Sequence, residues 1–420
     1  MVSFASDYIA GARPEILEAL MKTNMEALPG YGTDEHCSRA KELIRRAVMA
    51  TCAGGNGAVP LSGLCMNQAV PASGASGSKE VAASDADNDK ALDVDRCAHI
   101  DVEFIAGGTQ TNQIVISTML RDWEGVLAAD TGHVTTHEAG AIEYSGHKVI
   151  PLPQTAGRIK ASTVDSYIAG FYADENHEHE VFPGMVYISY PTEWGTLYTK
   201  DELEEIHSVC QKYNIPLYID GARLAYGLAS PACDLTLHDL ASLCDVFYIG
   251  GTKCGALCGE AIIFTHNNKP EHFMNAVKKR GALLAKGRLL GVQFETLFST
   301  HSEQESLGAF APFLSCPELE DAPKLSCSGW VQTLYMEVGR HGIDMAEKLE
   351  KILRDKGCEF YMESPTNQKF VIMEDKQLEK LRGKIEYGFW EKPDDAHTVV
   401  RFATSWSTTE RDLAALEKVL

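Results

Sequence analysis

The run from Ile215 to Phe264 constrains the fold most, because three short apolar segments alternate there with polar turns and one longer connection. Ile215-Pro216-Leu217-Tyr218-Ile219 stops at Asp220-Gly221-Ala222-Arg223, and Asp245-Val246-Phe247-Tyr248-Ile249 delivers Gly250-Gly251-Thr252-Lys253-Cys254-Gly255. Glu260-Ala261-Ile262-Ile263-Phe264 then leads away as a third segment. Runs of this length and apolarity, bounded by turn residues, predict strands. In an open α/β sheet ligands gather outside the carboxyl ends of the strands, where Asp220 and Lys253 would both emerge.

The two side chains suit one chemistry. A lysine flanked by small residues can be approached by a flat group, and its amine can form a Schiff base with an aldehyde. A carboxylate closing a neighbouring strand can pair with a pyridine nitrogen and keep the ring protonated. Together they are what pyridoxal phosphate (PLP) requires of a protein. A solvated lysine is the ordinary alternative for Lys253 taken alone.

Upstream, Pro14 with Ile16, Leu17, Leu20 and Met21 predicts a helix over 12–25, preceded by an arm. Thr33 is the expected cap of the next helix, whose apolar face is Ala40, Leu43, Ile44, Ala47 and Val48. Between Thr51 and Asp95 the pattern dissolves into Gly, Ala, Ser, Asn and Asp, which reads as an insertion. Asp101-Val102-Glu103-Phe104-Ile105 is a strand passing through Gly107-Gly108-Thr109-Gln110 into an apolar helix. A glycine turn opening a helix presents free N–H groups to a phosphate. The spacing matches neither the Rossmann nor the P-loop pattern, so on spacing alone this is a strand-to-helix turn.

Gly125-Val126-Leu127-Ala128 is a further strand, followed by a helix expected to run from His133 through His137, Glu138, Ala139 and Ile142. His133 and His137, four apart, raise a metal pair, but the arrangement is not the zincin motif and lacks a third ligand. Lys148–Leu152 and Met185–Tyr190 are strands. His177-Glu178-His179-Glu180 before the second is a solvated loop, with a catalytic histidine as the alternative. Thr199-Lys200-Asp201-Glu202 is a capping box. Asn275–Phe298 is helical in pattern, 299–328 is a second insertion or linker, and Leu334–Arg354 is a long helix. Strands at 360–363, 369–373 and 397–402 then alternate with helical pieces at 376–383 and 409–420.

The fold expected is α/β: a large cofactor-binding domain over 16–298, with a mainly parallel sheet sandwiched by helices, and a small C-terminal α/β domain over 329–420. Residues 1–15 form the arm. The chain has 420 residues, 45% of them hydrophobic, enough for a large core. Its 38 basic against 59 acidic residues give a net charge of −21, which argues against nucleic-acid and anionic-membrane partners. The first residues carry no leader pattern, and the 12 scattered cysteines fit reduced thiols, so a cytoplasmic setting is expected.

Read together, the motifs resemble the L-threonine aldolase and β-eliminating lyase family of PLP enzymes of aspartate-aminotransferase fold type. The resemblance is carried by Phe4-Ala5-Ser6-Asp7, Gly30-Tyr31-Gly32, Gly108-Thr109-x-x-Asn112-Gln113 and His133-x-x-x-x-Glu138-Ala139-Gly140. It continues through Asp220-Gly221-Ala222-Arg223-Leu224, the lysine loop and Val400-Arg401-Phe402. It implies that Lys253 forms the Schiff base, Asp220 pairs with the pyridinium nitrogen and His133 stacks on the ring. Gly108, Thr109 and Gln110 would hold the phosphate, with Arg288 near it in this or a neighbouring subunit. Ser6, Arg223 and Arg401 would grip the substrate carboxylate, and Tyr31 would reach across a dimer interface. The chain departs from the pattern at Tyr190-Pro191-Thr192-Glu193-Trp194-Gly195-Thr196, where many threonine aldolases carry Glu-Asn-Thr-His. The family's loop histidine is therefore matched only by position, to His179 or else His177.

The resemblance implies retro-aldol cleavage of L-threonine, L-allo-threonine and related 3-hydroxy amino acids to glycine and an aldehyde, with His179 as general base. The rival on the same scaffold is β-elimination from another small amino acid. A non-catalytic PLP-fold or metal-binding protein is the reading of a different class. A homodimer or homotetramer is expected.

Overall fold

In the computed structural model, residues 1–50, 100–300 and 333–420 are described. The expected insertion at 52–95 and almost all of 299–328 lie outside the described residues. Twelve strands among them form two sheets. In chain order these are β1 (Val2–Phe4), β2 (Asp101–Ile105), β3 (Glu124–Ala129), β4 (Val149–Leu152), β5 (Phe182–Ser189) and β6 (Leu217–Asp220). They continue with β7 (Val246–Gly250), β8 (Glu260–Phe264), β9 (Glu359–Met362), β10 (Gln368–Glu374), β11 (Ile385–Glu391) and β12 (His397–Ala403).

The larger sheet has the order β2-β8-β7-β6-β5-β3-β4. β4, β3, β5, β6 and β7 run parallel, and β8 is antiparallel to both its neighbours. It is buried on both faces, which explains why its strands read as unbroken apolar runs. Alternate residues serve opposite clusters. Val186, Ile188, Ile219 and Ile249 pack into one core, and Met185, Tyr187, Tyr218 and Tyr248 into the other. The mixed α/β architecture with a mainly parallel, helix-covered sheet is the one expected.

The smaller sheet, β1-β11-β12-β10-β9, packs its own apolar cluster of Phe4, Leu349, Val371, Val400, Phe402 and Leu416. The expected arm is therefore partly a strand: Val2–Phe4 pairs in parallel with Ile385–Tyr387, 380 residues downstream and more. Three residues are too few to show a strand period, and β11, only half-buried, alternates poorly; both escape a reading of periodicity.

Three local expectations are corrected. The second helix, Glu35–Met49, is capped by Asp34, whose side chain accepts from Cys37 N–H at 2.9 Å; Thr33 instead bonds the Gly30 carbonyl. The helix expected through His133 and Ile142 is broken into His133–Thr136 and Ala141–Tyr144, because Ala139 and Gly140 take positive φ of 51° and 73°. The pattern at 275–298 likewise divides into Phe273–Lys279 and Arg288–Phe298, with Gly281 at φ 68° between them. The box at Thr199 and Glu202 forms as read, opening Lys200–Tyr213. Among the described residues no helix is long and apolar enough to cross a membrane.

Candidate active site

The parallel order fixes which residues can meet. Asp220 closes β6 beside Ser189, its partner at the end of β5; Gly250 closes β7 opposite Glu260, which opens the antiparallel β8. The segments after β2, β3, β5, β6 and β7 and the start of β8 thus share one edge of the sheet. From that edge come Gly108, His133, Glu193, Arg223, Lys253 and Glu260.

Asp220 is buried and held from several sides. Tyr187 Oη donates to its Oδ2 at 2.5 Å and Asn112 Nδ2 to the same oxygen at 3.0 Å. Tyr248 Oη and the Ala222 N–H donate to its Oδ1. Burial opposes the charge, but nearby His133 and these donors keep the carboxyl below the ordinary carboxylate range. Tyr187, Tyr218 and Tyr248 share a sheet face with Asp220 because residues two apart in a strand point the same way. Gly221 follows because a Cβ there would stand 1.9 Å from the Tyr248 carbonyl oxygen.

Lys253 lies in the loop after β7. Burial, and then the Arg223 guanidinium, lower its amine below the usual lysine range, and among the described residues the amine makes no ion pair. Beneath it, Glu260 accepts from Gly251 N–H at 3.0 Å and from Thr252 Oγ1 at 2.8 Å, tying the loop down. Burial pushes the Glu260 carboxyl up to about 8.

His133 opens its helix at the end of β3. Its Nδ1 stands 2.8 Å from Glu138 Oε1, and its backbone N–H donates to Glu193 Oε1 at 2.9 Å. Glu138 Oε1 also accepts from Asn112 Nδ2 at 2.6 Å, while its Oε2 is buried with no partner among the described residues. An oxygen taking two donors is an acceptor, so Nδ1 donates to Glu138 and Nε2 is the ring nitrogen left untied by it. Burial raises both Glu138 and Glu193. His137, its ring 5.7 Å from that of His133, is lowered by burial, then by His133 and the cations Arg401, Lys253 and Arg223.

A second group converges from the smaller sheet. Arg223 is clamped by Asp7, with Nε to Oδ2 at 2.6 Å and Nη2 to Oδ1 at 3.1 Å, and Asn367 supports Asp7 at 2.9 Å. Burial opposes the charge on Asp7, but Arg223 and then Lys253 hold it at about 2. Arg401 donates from Nη2 to Ala5 O at 2.9 Å and from Nη1 to Gln368 Oε1 at 3.1 Å. Its Nε and the Ser6 Oγ are both buried with no partner among the described residues.

Lys253, Asp220, His133, Arg223, Arg401 and Ser6 thus come together, and Gly108, Thr109 and Gln110 open the helix Gly108–Met119 on the same edge, with no side chain capping its first turn. Three residues do not join them. His179, like His177, lies in the turn His177–His179 before β5, at the amino edge of the sheet; β5 has eight residues, which at about 3.3 Å each separates that turn from the site by roughly 25 Å. Arg288 donates to the Thr23 and Glu26 carbonyls at the end of Pro14–Thr23. Tyr31 is half-exposed, its ring 4.6 Å from the Lys278 ammonium. Asn112, Glu138, Glu193, Glu260 and Asp7 were given no role by the sequence reading. Asp7, Asn112 and Glu138 stand in the motifs that carry the family resemblance, which is the signal they offered; Glu260 opens an apolar run.

Comparison with known proteins places the geometry in context. The family model described as beta-eliminating lyase matches residues 3–376. A low specificity L-threonine aldolase of a Pseudomonas species is 25% identical over 360 residues, spanning 85% of this chain and 88% of the relative. One from Pseudomonas aeruginosa is 24% identical over 389 residues, spanning 90% and 94%. The solved structure of the threonine aldolase of Leishmania major superposes with a TM-score of 0.77 at 34% identity, covering 100% of this chain and 98% of that one.

Proposed function

Because this chain belongs to the β-eliminating lyase family, we propose that it is a PLP-dependent lyase cleaving L-threonine, L-allo-threonine and related 3-hydroxy amino acids to glycine and an aldehyde. The relatives and the Leishmania enzyme, all threonine aldolases, support the substrate class.

The residues fit PLP. Lys253, its amine lowered by burial and without an ion pair among the described residues, would hold the aldehyde, and Asp220, kept ionised, would face the ring nitrogen. This lysine and aspartate at one sheet edge are the observation that carries the reading. The uncapped N–H groups of Gly108, Thr109 and Gln110 would take the phosphate, favoured by the helix dipole. Ser6 Oγ and Arg401 Nε, buried and without partners among the described residues, with Arg223 near, would take the substrate carboxylate. Arg223, forked onto Asp7, would act there through its charge.

When bound, PLP supplies an electron sink for the carbon left by cleavage. The residues around it do the rest. Arg401 and Ser6 orient the substrate through its carboxylate. Asp220, ionised, favours the protonated ring nitrogen. His133, its Nδ1 proton committed to Glu138, takes the β-hydroxyl proton at Nε2. That role passes to His133 because His179 lies at the opposite edge. Lys253, released carrying the proton given up by the substrate amine, would return a proton to the substrate carbon.

The chain divides in this reading into a large domain over 16–298 and a small one over 329–420; the smaller sheet has its own apolar cluster, while Leu334, Tyr335, Met336, Val338 and Ile343 pack into the core of the larger one. A homodimer or homotetramer, with Tyr31 and Arg288 serving a neighbour's site, and a cytoplasmic setting complete it. The test against β-elimination is direct: L-threonine should yield acetaldehyde and glycine, while L-serine yields no pyruvate or ammonia. Pyruvate release exceeding acetaldehyde release would move the function to the eliminating rival.

A further inference from the structure

Two buried carboxylates share one amide. Asn112 Nδ2 lies 2.6 Å from Glu138 Oε1 and 3.0 Å from Asp220 Oδ2, one N–H for each. The amide cannot be turned over: Tyr218 Oη donates to Asn112 Oδ1 at 2.6 Å, and the reversed amide would aim its oxygen at both acids. Glu138 meanwhile accepts from His133 Nδ1 at 2.8 Å. A continuous path therefore runs His133, Glu138, Asn112, Asp220, all from the strand-end edge and all but His133 buried. Nothing in the reaction outlined above uses Asn112, and Glu138 enters it only as the acceptor of a proton on His133.

We propose that Asn112 couples Glu138 to Asp220, so that Glu138 is a positioning residue tying the proton state of His133 to that of the acid beneath the PLP ring. The inference rests on PLP binding as proposed above. Two carboxylates this close repel, and the shared amide offsets both; a change of charge on one is then felt by the other. The other titratable groups facing the path are His137 and Glu193 from the loops, Tyr187, Tyr218 and Tyr248 from β5, β6 and β7, and Lys253, Arg223 and Glu260 around the lysine loop. They are unchanged in the variants below, except where Tyr218 is itself the target.

The test is a pH titration of the visible band of the substrate-free holoenzyme, with PLP as the probe. Glu138→Gln keeps the shape and an acceptor but removes a negative charge that favours the protonated form, so its midpoint should fall by about one pH unit. In an Asn112→Ala background only the through-space part of that effect remains, so the same substitution should move the midpoint by less than about half a unit. Equal shifts in both backgrounds, or no shift in Glu138→Gln with PLP retained, would overturn the coupling. If Asn112→Ala does not fold, Tyr218→Phe removes the donor that anchors the amide oxygen and should shrink the Glu138→Gln shift in the same direction; an undiminished shift there would count against it equally. A wild type that takes up no PLP overturns the proposed function and this inference with it. A normal wild-type chromophore with uncoupled shifts overturns the inference alone.

Discussion

Asp7 grips Arg223 with both carboxylate oxygens, at 2.6 and 3.1 Å, joining the amino-terminal segment to the strand-end loop of the larger sheet. Both groups are largely buried, so removal of one charge strands the other. Asp7→Asn should cost about 3–5 kcal/mol, read from urea unfolding at neutral pH. With Asp7 held at about 2, its contribution is full above the ordinary carboxylate range and is lost only as pH falls toward that value. A loss below about 1 kcal/mol would mean that the pair is replaceable by neutral hydrogen bonds.

The two histidines separate cleanly. His133→Asn should lower kcat by about 10²–10⁴-fold, the range of a lost general base. His179→Ala, at the far edge of the sheet, should leave kcat within about twofold, well inside the noise of a surface change. A large loss in His179→Ala alone would require the turn His177–His179 of a neighbouring subunit to reach the site.

Arg401 has a buried Nε with no partner among the described residues, while its two Nη atoms are committed to Ala5 and Gln368. Arg401→Lys removes the fork and the Nε donor but keeps a charge. KM for L-threonine should rise about tenfold or more, with the PLP spectrum unchanged. An unchanged KM would move the carboxylate elsewhere.

Glu260 offers a pH signature. Burial raises its carboxyl to about 8 from an unfolded value near about 4.3, so within that window the folded chain holds a proton that the unfolded chain has lost. Stability from this group is full below the window and falls as pH rises through it. Glu260→Gln should flatten that slope: the urea midpoint should change less between pH 5.5 and 7.5 than in the wild type. These two pH values are chosen, roughly, to lie inside the window. An equal or steeper slope would contradict the assignment.

Much of the larger sheet could be read from the chain, because strands buried on both faces are continuous apolar runs, and β6, β7 and β8 fall within a residue or two of expectation. Lys253 and Asp220 were legible for the same reason: each interrupts or follows such a run at its carboxyl end. His179 misled because a residue before a parallel strand lies at the amino edge, a fact of sheet direction rather than of spacing. Asn112 and Glu138 carry no strand signal; only the fold brings Glu138 and Asp220 within 3.0 Å of the same Asn112 amide nitrogen. β1 escaped because three residues show no period, and the break at Ala139 because alanine, an ordinary helix former, adopts positive φ there.

The most direct measurement is the visible spectrum of the PLP-reconstituted protein, with and without Lys253→Ala, followed by acetaldehyde release from L-threonine. The account predicts a borohydride-reducible yellow chromophore and acetaldehyde in the wild type, and loss of both in Lys253→Ala. A wild type with no chromophore in excess PLP, or a Lys253→Ala variant with undiminished turnover, would contradict it.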